Sequence, residues 1–335
     1  MDSQAKHIQL RDKIADAHVP VSVVVLTRNR APSLARTLAA VRAQSYLDFE
    51  IVVVDNGSTD QTADVARAYR ARRIEVDPRF GIGHCRGVGV NAAQGELIAF
   101  CDDDCVPSRD WLAALVARMT EDARIALVGG KVINIGFTGY RRFKGRTKLA
   151  RNGGLNYAHS DEETEFYGNM NVAMRRQTIL EIGGYDPFLT VLEEIDLATR
   201  VRRSGYRVEY EPLAVLEHHN AGVFFKSRRF FYGVQLMRLY FYVKHHRPES
   251  SGGWLEFARY EMGLLVRDLI RVARSFGAAL LHAKPERLPI IGVELFNLFS
   301  ARLALPWLLY QAQKRANWER TMVDAQAALQ PDSSS

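Results

Sequence analysis

Through its first two hundred residues the chain alternates short apolar runs with polar stretches of helical period. Residues 21–26 read VSVVVL. This β-branched, nearly unbroken run predicts a strand buried on both faces, as in a parallel sheet. Thr27, Arg28, Asn29 and Arg30 end it, and Pro32 and Ser33 open a helix predicted to about residue 44, with Leu34, Leu38 and Val41 at helical spacing. A second strand is predicted over 49–54. Asp55-Asn56-Gly57-Ser58 then forms a turn, and Ser58, Thr59 or Asp60 caps a helix over 62–72. The pattern continues with a strand at 74–76, a loop and helix over 81–93, a strand at 96–100, a helix at 110–119 and a strand at 125–128. Residues 136–166, rich in Gly, Arg, Asn and acids, read as a mobile insertion that serves as a lid. Structure resumes at 168–176, with helices at 178–181 and 195–204 and a strand at 206–211. From residue 224 to about 320 the pattern is amphipathic and helical, and 331–335 reads as a disordered tail.

Alternation of this kind predicts an α/β fold with a mostly parallel, doubly wound sheet. Ligands of such sheets bind outside the carboxyl ends of the strands. The polar groups of this chain collect at those ends: Thr27, Arg28 and Asn29 after the first strand, Asp55 after the second, and Asp102, Asp103 and Asp104 after the strand at 96–100. Three strand ends therefore converge on one crevice.

The 335 residues are 47% hydrophobic, enough for a sizeable core. Only three cysteines are present, Cys85, Cys101 and Cys105, which fits a reducing compartment better than a disulfide framework. The Cys101/Cys105 spacing has no partner pair with zinc-ribbon spacing, so the two are read as small apolar residues bracketing a strand end. The first twenty residues lack the apolar stretch of a leader peptide, and no uncharged run reaches about 18 residues, so no transmembrane helix is expected. A cytoplasmic protein, soluble or peripheral on the inner face of the membrane, is the expectation.

Charge changes the picture of the C-terminal third. Residues 221–335 hold 16 Lys+Arg and 9 Asp+Glu, which leaves 29 of each in residues 1–220. The whole +7 excess belongs to the last third, where aromatic and cationic residues interleave (FFKSRRFFYGVQLMRLYFYVKHH) and two further stretches are apolar with sparse charges. The candidates for this region are an anionic membrane surface, a homodimer contact, or packing on the rest of the chain. No nucleic-acid-binding motif is present, so a nucleic-acid partner is not expected.

The candidate chemistry begins at 101–105, CDDDC. Three consecutive carboxylates on a stiff strand end make good oxygen ligands for Mg²⁺ or Mn²⁺, which bridge to substrate phosphates; the bland alternative is a solvated turn. Gly81, Gly83 and Gly87 do not make a dinucleotide fingerprint, because Arg86 stands where the third glycine belongs and no strand leads into the segment. A phosphate-binding P-loop is absent from the sequence as well.

Four stretches occur in one order: VSVVVLTRNR, FEIVVVDNGSTDQT, GIGHCRGVGVNAAQGELIAFCDDDCVP and EEIDLATRVRRSGYRV. Together, over about residues 20–220, they resemble glycosyltransferase family 2, the inverting sugar-nucleotide transferases of the GT-A fold. The resemblance implies a donor half over about 20–130, the insertion at 136–166 and an acceptor half over 167–223. A catalytic domain over 20–223 would then follow an N-terminal extension (1–19) and precede a helical region (224–325) and a tail (326–335). It implies that Asp102-x-Asp104 is the family's D-x-D, with Asp102 near the ribose and a further metal ligand, and Asp104 on the metal that holds the diphosphate. Thr27, Arg28, Asn29, Asp103 and Arg86 would line the nucleotide. Asp55 would accept from the imide N–H of uracil or thymine, which favours UDP or dTDP. Glu193-Glu194-Ile195-Asp196 resembles the E-D-x-D segment, but the position of the base is Glu194 rather than Asp. Glu194, backed by Glu193, is the expected base, and Asp196 the residue that orients the segment on the sugar side. Asn171, in Gly168-Asn169-Met170-Asn171, is the expected sugar-hydroxyl partner, and His218 a further metal ligand. Mn²⁺ or Mg²⁺ would be the cofactor, and a glycan, a lipid-linked or a small-molecule hydroxyl the acceptor. The rival from another class is a catalytically silent protein of the same fold that binds a partner or membrane through its C-terminal helices. A nucleotidyltransferase is disfavoured, since Thr27-Arg28-Asn29 stands where its glycine-rich loop belongs.

Overall fold

In the computed structural model the described residues are 19–136, 146–149, 155–157, 166–219, 228–246, 251–281 and 303–315. They fall into two compact units, one of residues up to 149 together with 155–222, the other within 223–321. The expected extension at 1–19 and the tail lie almost wholly outside these residues, as does most of 136–166.

In the first unit, β1 (Val21–Thr27), β2 (Phe49–Asp55), β3 (Arg72–Glu75) and β4 (Leu97–Asp102) form the parallel part of an eight-stranded sheet, in order β3-β2-β1-β4. The apolar centres of β1, β2 and β4 are fully buried, as parallel strands covered on both faces must be, whereas β3 at the edge is only partly buried. The helices α1 (Ala31–Arg42), α2 (Thr62–Ala68) and α3 (Ile82–Ala92) make the crossovers. The sheet continues through β10 (Asn171–Arg175), β6 (Ile125–Ile135), β11 (Arg207–His219) and β5 (Cys105–Pro107). β11 runs parallel to β6, whereas β10 is antiparallel to both of its neighbours and β5 is antiparallel to β11. The sheet is thus mostly parallel but mixed. A strand from late in the chain is wedged beside β4, because residues 171–175 return to pair with 97–101. α4 (Trp111–Thr120) packs its apolar side onto the core that contains Leu34, Leu38, Leu97, Leu112, Leu115 and Met119. Each such fully buried side chain contributes about 1.5–3 kcal/mol.

Within 137–166 the described residues are strand. β7 (Arg146–Leu149), β8 (Leu155–Tyr157) and β9 (Phe166–Tyr167) form a small antiparallel sheet in the order β8-β7-β9. α5 (Arg176–Glu181) and α6 (Glu193–Arg203) complete this unit. α6 starts two residues before the predicted position, after Leu192 in the left-handed region (φ 68°). The second unit contains α7 (Arg228–His246), α8 (Ser251–Leu281) and a helical stretch at 303–315. A buried ion pair between Arg238 of α7 and Glu261 of α8, 2.7 Å, joins its two long helices. Among the described residues no helix is long and apolar enough to cross a membrane.

Candidate active site

Strand register places the crevice. Thr27, the last residue of β1, lies opposite Asp55, the last of β2, and Leu26 lies opposite Asp102, the last of β4. The acidic turn between β4 and β5 is clamped from below by Thr37 of α1, whose hydroxyl lies 2.9 Å from the Asp103 carbonyl oxygen and 2.7 Å from that of Cys105.

Each carboxylate of this turn meets a cation: Asp102 meets Arg86, while Asp103 and Asp104 share Arg30. Asp102 accepts from Arg86 at 3.1 Å. Asp103 is buried and accepts from the Thr27 hydroxyl at 2.7 Å and from Arg30 at 3.0 Å. Burial outweighs these bonds and pushes its carboxyl up to about 6. Asp104 accepts from Arg30 at 2.9 Å and lies 3.4 Å from Nε2 of His218. Burial alone would raise Asp104, but His218 and Arg30 hold it below the usual carboxylate range. The same contact raises His218, against the opposing effect of its burial. Three adjacent negative charges are thus held without mutual repulsion deciding the geometry.

Asp104, Cys105 and His218 offer ligand atoms within 4.8 Å of one another. β11 supplies His218, which its register sets beside Cys105 and Asn134. Asn134 Oδ1 lies 3.1 Å from Nδ1 of His218. Accepting from Nδ1–H there, it leaves Nε2 facing Asp104, the orienting contact metal-binding histidines use. A carboxylate plus an imidazole suits Mn²⁺. Burial pushes the Cys105 thiol well above its ordinary value, so it stays protonated and fits a neighbour better than a thiolate ligand. The donor set therefore fits a divalent cation. Asp102, expected among the ligands, is outside this group and belongs to Arg86.

Arg86 is the hub of the crevice. It is 2% exposed, although it comes from the glycine-rich segment. That segment is helix α3, and its glycines serve close packing: a Cβ on Gly83 would lie 2.5 Å from the carbonyl oxygens of Asp186 and Leu189. Arg86 donates to Asp102 at 3.1 Å and through Nε to Glu193 at 3.3 Å, and it lies 5.2 Å from the Phe100 ring centroid. Its second terminal nitrogen, NH1, is buried with no partner among the described residues. A buried guanidinium with an unused donor is costly, and an anion at NH1 would remove that cost.

Glu193 and Glu194 open α6, where the helix dipole favours acids. Glu193 is buried and committed to Arg86 and to the Asn169 amide, 3.3 Å. Asn169 in turn accepts from the Tyr185 hydroxyl at 2.7 Å. Glu194 is half-buried. Burial first, and the neighbouring charge of Glu193 second, push it well above the usual carboxylate range. Of the two acids, Glu193 holds the ion pair to Arg86, and Glu194 is the less buried.

Several expected residues are committed to the fold. Asn171 is fully buried, accepts from Trp111 Nε1 at 2.7 Å and donates to the carbonyls of Lys131 and Ala214, both 3.0 Å. Its amide is spent holding β10 against its surroundings, so it does not face a sugar. Asp196 is fully buried and pairs with Arg200 at 2.7 Å. Thr27 spends its hydroxyl on Asp103, and Asp55 is fully buried against Arg73, 2.7 Å, and the Ser58 amide, 2.9 Å. Arg28 and Asn29 are exposed at the mouth, where Asn29, at φ 51°, accepts from the Thr59 amide at 2.7 Å. Arg30, Asn169 and Tyr185 were not singled out from the sequence. Both Arg30 and Asn169 lie inside quoted motifs, Arg30 directly after Asn29 and Asn169 two positions before Asn171.

Residues 22–183 match the family model described as glycosyl transferase family 2. A pre-mycofactocin glycosyltransferase of Mycobacterium tuberculosis is 26% identical over 315 residues, covering 86% of this chain and 64% of that protein. The chain thus spans less than two-thirds of that relative's length. Validoxylamine A glucosyltransferase of Streptomyces hygroscopicus subsp. jinggangensis is 37% identical over 124 residues, 35% of this chain and 29% of that protein. In fold, the chain resembles a mannosyltransferase from Pyrobaculum calidifontis solved with GDP-Man and Mn²⁺ (TM-score 0.54, 19% identity, 91% of this chain and 94% of that one). It also resembles S. aureus TarS 1–349 solved with UDP-GlcNAc (TM-score 0.53, 19% identity, 93% of each chain).

Proposed function

We propose that the chain, whose residues 22–183 match the glycosyl transferase family 2 model, moves a sugar, with inversion, from a nucleoside-diphosphate sugar to a hydroxyl group. The observation that carries this reading is Arg86. It ties Asp102, at the donor end of the crevice, to Glu193, beside the expected base, and it keeps one buried donor without a partner. A diphosphate is the class of anion that such a donor and the nearby exposed Arg28 would take.

Asp104 and His218 would hold Mn²⁺ or Mg²⁺. When bound, the cation offsets charge that grows on the departing diphosphate. Arg86 supplies fixed positive charge at the same end without reorganising, since it is already buried and braced by two carboxylates. Arg30 holds Asp103 and Asp104 in place. Glu194 takes the proton of the acceptor hydroxyl, and its raised proton affinity makes it a stronger base near neutral pH than an ordinary glutamate. Glu193 positions Arg86 and sets the proton affinity of Glu194. The attacking oxygen then forms its bond on the face opposite the leaving diphosphate, and no covalent enzyme intermediate is needed. UDP and dTDP are the first donors to test, on the strength of Asp55. The acceptor is a glycan, lipid-linked or small-molecule hydroxyl.

The test is a donor-plus-acceptor screen with the product's anomeric configuration read by NMR, on wild type and Glu194→Gln. Inverted product from wild type, with a loss of about 10²–10⁴-fold in Glu194→Gln, supports a general base. Retention of configuration overturns it. Nucleotide binding without turnover of any donor would favour the catalytically silent rival.

A further inference from the structure

The second unit presents two helical surfaces on which the outward residues are apolar or cationic. On α8, Met262, Val266 and Ile270 follow one another at four-residue spacing and are 59%, 48% and 48% exposed. Arg259, Arg267 and Arg274 are exposed beside them. The acid of the same turn is turned away: Glu261 is buried against Arg238 of α7. The helix thus sorts its described charges, with arginines outward and Glu261 inward. The stretch 303–315 repeats the arrangement. Leu303, Trp307 and Tyr310 are exposed at i, i+4 and i+7, and exposed Lys314 continues the line.

These apolar stripes would be a liability facing only water. Their edges say what covers them. The region is net +7 over residues 221–335, so pairing two copies of it would set like charges together. A bilayer rich in anionic phospholipid matches both features at once. Apolar side chains enter the acyl boundary, guanidinium groups meet phosphates, and Trp and Tyr rest at the headgroup level. No described helix is long and apolar enough to span, so the fit is to the plane of the surface. We propose that α8 and the 303–315 helix dock this protein onto an anionic phospholipid membrane, with Met262, Val266, Ile270 and Trp307 as the inserted residues. The proposal does not rest on sugar transfer, because binding is read with no donor or acceptor present.

The experiment is co-sedimentation of the full chain with two kinds of vesicle. One is phosphatidylcholine alone; the other is phosphatidylcholine with about a third phosphatidylglycerol, at low and high salt. Light scattering of the free protein accompanies it. The expected result is pelleting with the anionic vesicles, at least tenfold weaker with neutral ones and weakened by salt. Arg267→Gln and Arg274→Gln each lower the partition constant roughly fivefold. Val266→Asp with Ile270→Asp abolishes pelleting while circular dichroism and melting stay as in wild type. All these side chains are exposed, so folding does not depend on them. No pelleting with anionic vesicles overturns the proposal, as does equal pelleting with neutral ones. A dimer that Val266→Asp with Ile270→Asp converts to monomer, leaving lipid binding unchanged, also overturns it.

Discussion

Replacing Arg86 by methionine keeps most of the side chain's volume and removes its charge. Two acids lose their partner: Glu193, which is buried, and Asp102, whose side chain is 29% exposed. Breaking a buried ion pair by removing one member costs about 3–5 kcal/mol, since the remaining charge stays in a poor solvent. Asp102 can reach water, and the wild-type arginine already bears the cost of an unpartnered NH1. Both place the expected loss at the lower end, about 3 kcal/mol. The contact with Phe100 adds roughly 1 kcal/mol to that loss. For a unit of this size each kcal/mol moves the midpoint about 2–4 °C, so the combined loss of about 4 kcal/mol should make Arg86→Met melt roughly 8–16 °C lower. The second arm is Arg86→Met with Glu193→Gln. Neutralising the stranded acid should restore about 1–2 kcal/mol, a coupling of the size contacting residues show. Melting is followed by far-UV circular dichroism, and nucleotide binding is measured on the same samples below the transition. A loss under about 0.5 kcal/mol, or strict additivity of the two substitutions, would refute the reading of Arg86 as the hub.

Three further outcomes are expected. Glu50 accepts from Ser22, the Gln94 amide and Arg72, and these bonds outweigh burial and lower its proton affinity. A depressed carboxylate contributes stability that is present above its unfolded value and lost as pH falls; the melting gap between wild type and Glu50→Gln should therefore be open at pH 7 and close on acidification below about 4.5. Gly83→Ala would force a Cβ to 2.5 Å from two backbone carbonyls; melting should show a loss of about 1–3 kcal/mol, with increased proteolysis in the 186–192 segment that leads into α6. Glu193→Gln removes the like charge beside Glu194, so the acid limb of the pH–rate profile should move to lower pH; an unchanged limb would mean that Glu194 is not the titrating base.

The parallel half of the sheet was legible because its strands are local, apolar and β-branched, and because their polar ends cluster at one edge. β4 extends past the predicted Phe100 to Asp102 because Cys101 and Asp102 pair with Val25 and Leu26 of β1, a register no local pattern reveals. β6 continues beyond Val128 to Ile135 because β11 runs alongside it through His219. The helix predicted over 62–72 stops at Ala68, and Arg70 then turns into the left-handed region (φ 51°) so that Arg72 can join β2. β10 gave little signal, being a short strand that pairs antiparallel with β4, some seventy residues earlier, and with β6, some forty-five residues earlier. The same limit explains the site. Acids at strand ends can be read from the chain, but what they touch cannot. Asn171 was expected to face a sugar and instead joins Trp111, Lys131 and Ala214, groups from distant parts of the sequence. Asn169, two residues before it, is the one that reaches Glu193. Arg30 stood next to the motif positions already chosen, and only the folded turn shows it spanning Asp103 and Asp104.

The central claim is that the acidic turn holds a cation on a diphosphate. The most direct measurement is calorimetry of UDP, dTDP, GDP and CMP binding, each with and without Mn²⁺, to wild type and Asp104→Ala. The account predicts that one nucleoside diphosphate binds wild type only with the metal, and that Asp104→Ala abolishes the metal-dependent part while leaving the fold intact by circular dichroism. Metal-independent binding, unchanged in Asp104→Ala, would contradict it and leave Asp102, Asp103 and Asp104 as a turn that Arg86, Arg30 and His218 neutralise for structural reasons alone.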